Sequence, residues 1–199
     1  MSRHMLIVGA AIAALSLAAC GKKAETTTEG AATPAEQAQT PDANPAATVP
    51  TPSNEAAAVD FVPKAAASDM FEVEAAKIAQ KRSTNAQVKK FAAEMIKAHT
   101  DSTAGLKKAL ADGGQTIELP TALPSDLQGK LDDLTKADAK DFDKKYADEM
   151  GDAHQDALNL MQRYAEDGDV PAIKAFAAAT APVVQKHLEM AKGLEDGMK

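Results

Sequence analysis

Residues 60–199 predict an all-α fold, a four-helix bundle, on three observations. Apolar residues recur at steps of three and four along four long segments, the spacing that turns one face of a helix inward. No run alternates with period two, and Val and Ile are sparse, so no strand is expected. All five Phe, at 61, 71, 91, 142 and 176, fall within the helical segments. A stretch of this length suits one domain.

Helix one is expected over residues 60–82, with Asp60 as its cap and Pro63 in the first turn, where a missing N–H is tolerated. At 100° per residue, Phe61, Val62, Ala65, Ala66, Val73, Ala76 and Ala79 share one arc, with Asp69 and Glu72 inside it. Phe71 and Ile78 form a second patch, as for a helix touching two neighbours. Helix two is expected from Thr84, opened by the capping box Thr84-x-x-Gln87 and stopped at Gly113-Gly114. Its inward seam is Val88, Ala92, Met95, His99, Ser102, Leu106 and Ala109.

Residues 113–137 form a connection long enough to cross the bundle, with a short helix started by Ser125 and Gln128. Such a crossover lets helix three run parallel to helix two. Helix three is expected over 139–166, with Asp138 as cap and Gly168 at its end. Its seam is Asp143, Tyr146, Met150, His154, Ala157, Met161 and Tyr164. Helix four starts at an Asp169 cap with Pro171 in the first turn and runs to about residue 194. Its seam is Ile173, Phe176, Thr180, Val184, His187, Ala191 and Leu194. Pro182 lies inside it and removes the donor that Ala178 would otherwise receive, curving the helix or aiming His187.

Ahead of the bundle, residues 1–19 read as an export signal: Arg3 and His4, then a small apolar run from Met5 to Ala19. The run is too short to span a membrane, which takes ~20 residues. It closes on Leu17-Ala18-Ala19-Cys20, which resembles a bacterial lipobox, and Cys20 is the only cysteine in the chain. Cys20 is therefore the expected lipidation site, and Gly21-Lys22 after it resembles the outer-membrane sorting pattern. Residues 20–59 are rich in Ala, Thr and Pro and nearly devoid of large apolar side chains, so they are expected to be a disordered, lipid-anchored tether.

Three of the four histidines stand on inward stripes: His99, His154 and His187, on three different helices. Glu72, His99 and His154 fall within about two residues of their helix midpoints, or ~3 Å of rise, and His187 about one turn beyond. Midpoints coincide in a bundle whichever way the helices run, so the four groups are expected at one level. Imidazoles and a carboxylate converging on rigid helices are what a transition-metal ion needs. The same groups would also satisfy one another as a polar network without any ion. Met95, Met150 and Met190 share the histidine faces and would suit copper(I), although methionine at helical spacing is commonly core filler.

As a set, Phe61-Val62, Ser68-Asp69-Met70-Phe71-Glu72, Val88-Lys89-Lys90-Phe91-Ala92, His99-Thr100, Phe142-Asp143-x-x-Tyr146, His154-x-x-Ala157-Leu158, Ala175-Phe176-Ala177 and Pro182-x-x-x-x-His187-Leu188 span the folded region. They resemble a bacterial family of unknown function described as "predicted outer membrane protein", placed among ferritin-like four-helix bundles. The resemblance implies a ferritin-like fold and an exported setting, and no activity. Ferritin-like di-iron proteins use Glu-x-x-His on two helices, whereas Ile96, Gly151 and Val184 stand three before the histidines here.

There is also no HExxH, phosphate loop, CxxC or nucleophile elbow. A net charge of −7 argues against nucleic acid as a partner. The sequence thus predicts an envelope protein, on the periplasmic face of the outer membrane, that acts as a binding or structural module and not by catalysis. The alternative is a periplasmic transition-metal-binding or metal-dependent redox bundle using Glu72, His99, His154 and His187. A third reading makes Phe71 and Ile78 a partner-docking surface, which their burial would end.

Overall fold

The computed structural model describes residues 54–198, and the expected export signal, Cys20 and nearly all of the tether lie outside them. Among the described residues every regular element is a helix: α1 (Ala58–Arg82), α2 (Ala86–Asp112), α3 (Ser125–Lys136), α4 (Phe142–Asp167) and α5 (Pro171–Asp196). The long ones are α1, α2, α4 and α5. Neighbours around the bundle are α1 with α2 and α4, and α5 with α4 and α2. α1 and α5 therefore face each other diagonally, as do α2 and α4. None of these helices is long and apolar enough to cross a membrane.

Direction follows from two contacts at the ends. Arg82, in the last turn of α1, donates to the carbonyls of Leu134, Thr135 and Ala137 and lies 4.6 Å from the centroid of the Phe142 ring. The guanidinium thus meets the exposed carbonyls that end α3 and the first residue of α4. The end of α1 and the start of α4 share one end of the bundle, so α4 runs parallel to α2, as the long crossover predicts. α3 lies along α1 and α4 and covers the second apolar patch of α1. Phe71 is fully buried, with Ile78, Leu127, Leu131 and Leu134 in the same cluster. The docking surface proposed on Phe71 and Ile78 is thereby excluded.

The caps differ from the sequence reading, those of α1 and α5 for one shared reason. α1 begins at Ala58, two residues early, because its first N–H donates to Asp169 Oδ1 at 2.9 Å. Asp169 comes from the α4–α5 turn, where it also accepts from Tyr164 Oη at 2.9 Å and donates its own N–H to the Ala56 carbonyl. It therefore caps α1 and leaves α5 to start with Pro171 as its first residue. Asp60 instead accepts from the Asn54 N–H, and Pro63 sits in the second turn of α1. In α2 the cap is Asn85, not Thr84, with its Oδ1 accepting the Gln87 N–H at 2.8 Å. Ser125 and Asp138 cap nothing, since α3 starts after Pro124 and α4 after Asp141. Gly113 and Gly168 end α2 and α4 as expected, and Gly114 takes a positive φ of 64°.

Two large apolar clusters fill the bundle, with a small third one of Ala157, Leu158, Val184 and Leu188 between α4 and α5. Of the large two, one gathers Phe71, Phe91, Met95, Phe142, Tyr146 and Met150; the other gathers Phe61, Leu106, Met161, Tyr164, Ile173 and Ala177. Phe61 stacks on Tyr164 with centroids 4.0 Å apart, a pairing that contributes about 0.5–1.5 kcal/mol beyond burial. The inward arcs of α2 and α4 follow the expected seams. α4 buries a wider arc than its seam, adding Ala147, Gly151, Ala153, Leu158 and Leu160, while in α5 the seam is shifted: Ala177 and Leu188 are buried, whereas Phe176, Thr180 and Leu194 are half-buried. Val73 of α1 is likewise half-buried. Pro182 is exposed within a continuous α5, so its missing N–H interrupts no element boundary.

Candidate metal centre

The four predicted polar residues come together between the two large apolar clusters. Glu72 and His154 are 0% exposed, His187 3% and His99 4%, so any charge there has to be balanced locally. α1 delivers Glu72, α2 His99, α4 His154 and α5 His187. His154 and His187 are turned inward by apolar neighbours three and four positions away, whereas Glu72 and His99 also have polar neighbours at that spacing, Ser68, Asp69, Ser102 and Thr103. The three imidazoles pack with centroids 5.3, 5.5 and 5.7 Å apart. One ring nitrogen from each lies within 4.8 Å of those of the other two.

Glu72 Oε2 is the focus. It stands 2.7 Å from His99 Nε2 and 3.0 Å from His154 Nε2. Both contacts are short, yet neither has the angles of an N–H···O hydrogen bond. Glu72 Oε2, His99 Nε2, His154 Nε2 and His187 Nδ1 are thus four buried polar atoms without a well-formed hydrogen bond. Such atoms are rare in protein interiors, and four in one cluster call for a physical reason.

A second layer of contacts orients the first. His99 Nδ1–H donates to Asp69 Oδ1 at 2.8 Å, and Asp69 Oδ2 accepts from Thr103 Oγ1 at 3.0 Å. His154 Nδ1–H donates to the Met150 carbonyl at 2.7 Å, an acceptor that settles which nitrogen carries the proton. Ser68 Oγ donates to Glu72 Oε1 at 3.0 Å, leaving Oε2 for the histidines. In both rings the anchored nitrogen is Nδ1 and the inward one is Nε2. Histidines that ligate metals are held in this way, by a carboxylate or a carbonyl on the far nitrogen.

Charge follows the same geometry. Burial raises the cost of ionising Glu72, but the His99 and His154 rings, the close contact with His99 and the Ser68 hydrogen bond outweigh it and hold the carboxyl at about 2. For His99 burial works against the charged form, and the Glu72 charge with the Asp69 and Glu72 contacts reverses it, lifting the imidazole to about 10. Burial keeps His154 below its usual range, only partly offset by Glu72. Burial, then the His154 and His99 rings, bring His187 down to about 4. Burial raises Asp69 against the pull of His99. At neutral pH, before any cation arrives, Glu72 is an anion facing one imidazolium, His99, and His154 and His187 are neutral donors.

The donor set fits a transition metal. At metal–nitrogen and metal–oxygen bonds of ~2.0–2.1 Å, adjacent donors stand about 2.9 Å apart at right angles and about 3.3 Å apart at the tetrahedral angle. The 2.7 and 3.0 Å separations around Glu72 Oε2 are near that range. Three imidazoles with one carboxylate suit zinc, copper, iron or nickel better than magnesium or calcium. Met95 and Met150 are fully buried in an apolar cluster, and Met190 packs against it, the behaviour of core filler.

The sequence reading singled out the four inner residues and missed the role of Asp69, Thr103 and Ser68. Asp69 and Ser68 lie three and four positions before Glu72, and Thr103 four after His99, so helical spacing carried a signal. Tyr146 is a further neighbour: its buried hydroxyl makes no hydrogen bond, and burial, then the Glu72 charge, raise its pKa.

A family model described as a domain of unknown function, DUF4142, matches residues 23–194. The chain belongs to the DUF4142 family. No curated protein matches this DUF4142 chain closely enough to count as a relative. Among solved structures it is similar to a DUF305 fragment from Deinococcus radiodurans, with 16% identity and a TM-score of 0.60 over 73% of this chain and 97% of that one. At that identity the likeness shows the fold, a helical bundle, and nothing of the site. The DUF4142 site also departs from the di-iron pattern in a physical way. At Gly151, three before His154, an added Cβ would lie 2.5 Å from Glu195 Oε1, so a longer side chain there would have to displace Glu195.

Proposed function

We propose that this DUF4142 domain binds one transition-metal ion through His99, His154, His187 and Glu72. The observation that carries the reading is the anchoring of Nδ1 in two of the rings, by Asp69 and by the Met150 carbonyl, with Nε2 of both left against Glu72 Oε2. A polar network built for packing alone has no need to leave three imidazole nitrogens and a carboxylate oxygen without hydrogen bonds. Within this proposal the protein is exported and held on the outer membrane by a lipid on Cys20, a reading supported by Leu17-Ala18-Ala19-Cys20. The ion would then sit in a domain tethered above the membrane.

A second reading rests on a separate observation. Glu72 and His99 neutralise each other and Asp69 completes the chain, so the cluster also serves as a self-contained ion network in a binding or structural module. Elemental analysis separates the two. The mature chain, made soluble by Cys20→Ser, is purified from metal-supplemented cells beside a His99→Ala, His154→Ala variant. About one ion per parent chain and none in a variant that keeps its helical circular dichroism is the expected result. No ion in either would leave the structural network standing and remove the metal site.

A further inference from the structure

Beside Glu72, His99 and His187 lies a narrow cavity of about 20 Å³, whose rim includes the exposed Val183. Glu72, His99 and His187 form its polar side, and Ala65, Ala98 and Leu160 belong to its apolar wall. Ser102 lines it as well, with a hydroxyl shut off from solvent that turns toward Asp69 without closing a good hydrogen bond. His187 Nδ1, also a hydrogen-bond orphan, belongs to a residue of the same wall. One water needs about 10–15 Å³ measured in this way, so the space admits one or two non-hydrogen atoms and little more.

A route from outside exists. A groove of about 450 Å³ runs between α1, α2 and the crossover, where Leu119 and Pro120 overhang it. Asp69 and His99 line this groove and the cavity alike. The two side chains therefore stand between this groove and the cavity. A molecule of two atoms passes them through small side-chain excursions, whereas a ring-sized one does not.

We propose that this cavity is the seat of a small exogenous ligand, a neutral molecule of two non-hydrogen atoms, bound next to the metal ion. The inference rests on the metal-binding reading above and adds to it an open position with a defined size limit. Apolar walls favour an uncharged diatomic over an anion, because an anion there would lack compensating donors beyond Ser102 and the histidines. Ser102, a lining residue whose buried hydroxyl has no well-formed hydrogen bond, would be its donor.

The test uses the Cys20→Ser chain loaded with ferrous iron under argon, with nitric oxide as the probe. Iron is counted by elemental analysis and the adduct by its half-integer-spin electron paramagnetic resonance signal. Expected are about one iron per chain, a signal on adding nitric oxide, and no spectral change with imidazole, which is too large for the cavity. Ala98→Leu fills the space and is expected to keep the iron and lose at least tenfold in nitric oxide affinity. Ser102→Val, a smaller change in case Ala98→Leu does not fold, is expected to act in the same direction. Bound iron without a signal, or a signal untouched in a folded, iron-loaded variant, overturns the ligand seat and leaves the metal site intact. A chain that retains no iron overturns the ligand seat, and one that retains no ion of any kind overturns the metal site with it.

Discussion

His99 and Glu72 meet with 2.7 Å between Nε2 and Oε2, on neighbouring helices and both cut off from solvent. The pair joins the two chemistries available to this core. With a proton on Nε2 it is a buried ion pair, and without that proton it is two metal ligands.

Stability of the protein without metal should therefore peak near neutral pH. His99 titrates at about 10 in the fold and near 6.5 when free, so its contribution is complete below 6.5 and fades as pH rises through 10. Over that interval the folded state holds the extra proton, and stability falls by up to ~1.4 kcal/mol per pH unit. His187, lowered to about 4, acts in the opposite sense: the unfolded chain takes the proton first, so stability falls as pH drops from 6.5 to 4. Glu72, held at about 2, keeps its full contribution above pH 4.5 and loses it progressively as pH falls from 4.5 through 2. Urea melts from pH 4 to 10 on parent and His99→Gln check this. An alkaline limb of equal slope in the variant would refute the assignment to His99.

Metal uptake near pH 7 should release about one proton, because His99 must give up its Nε2 proton and the other two rings are already neutral. Calorimetric titration in two buffers of different ionisation enthalpy measures the number. At a free metal concentration 100 times the dissociation constant, stability should rise by ~2.7 kcal/mol, and a chelator should reverse the gain. Binding without proton release would mean that His99 is not a ligand.

Asp69→Asn keeps the shape but weakens the anchor on His99 Nδ1. Metal affinity should fall about 10- to 100-fold with the fold retained, as for other partners that orient a ligand. Competition against a coloured chelator reads the change. An unchanged affinity would reduce Asp69 to a local structural role.

Asp169→Ala should destabilise the bundle by about 1–3 kcal/mol, since it removes the cap on the Ala58 N–H and the acceptor of the Tyr164 hydroxyl proton. The loss should be the same with and without metal, because Asp169 sits at the end of the bundle, away from the histidines. Denaturant midpoints in both states measure it.

Much of this architecture is legible in local pattern. Val88, Ala92, Met95, Leu106 and Ala109 bracket His99 at helical spacing, and all five are buried with it. The caps are less legible: Asp169 reads as the cap of the helix that follows it, yet it holds the first N–H of α1, 111 residues earlier in the chain. Phe71 and Ile78 read as a patch meeting a second neighbour, and nothing in their own helix says that this neighbour is α3. Asp69 and Glu72 stand three apart on one arc, and the spacing alone does not say which carboxylate faces the centre and which stands behind a ring.

By itself, the sequence determined that the described chain would be helical, that the long link would let α4 run parallel to α2, and that Glu72, His99, His154 and His187 would face inward. Those properties depend on the 3.6-residue repeat and on connection length, both readable from neighbours along the chain. Only the tertiary structure decided that Nε2 of two rings meets one oxygen of Glu72, that Asp69 and the Met150 carbonyl hold the opposite nitrogens, and that a cavity of about 20 Å³ lies alongside. Those properties depend on the rotation and sliding of four helices against one another, set by how all their side chains pack at once and by no single segment.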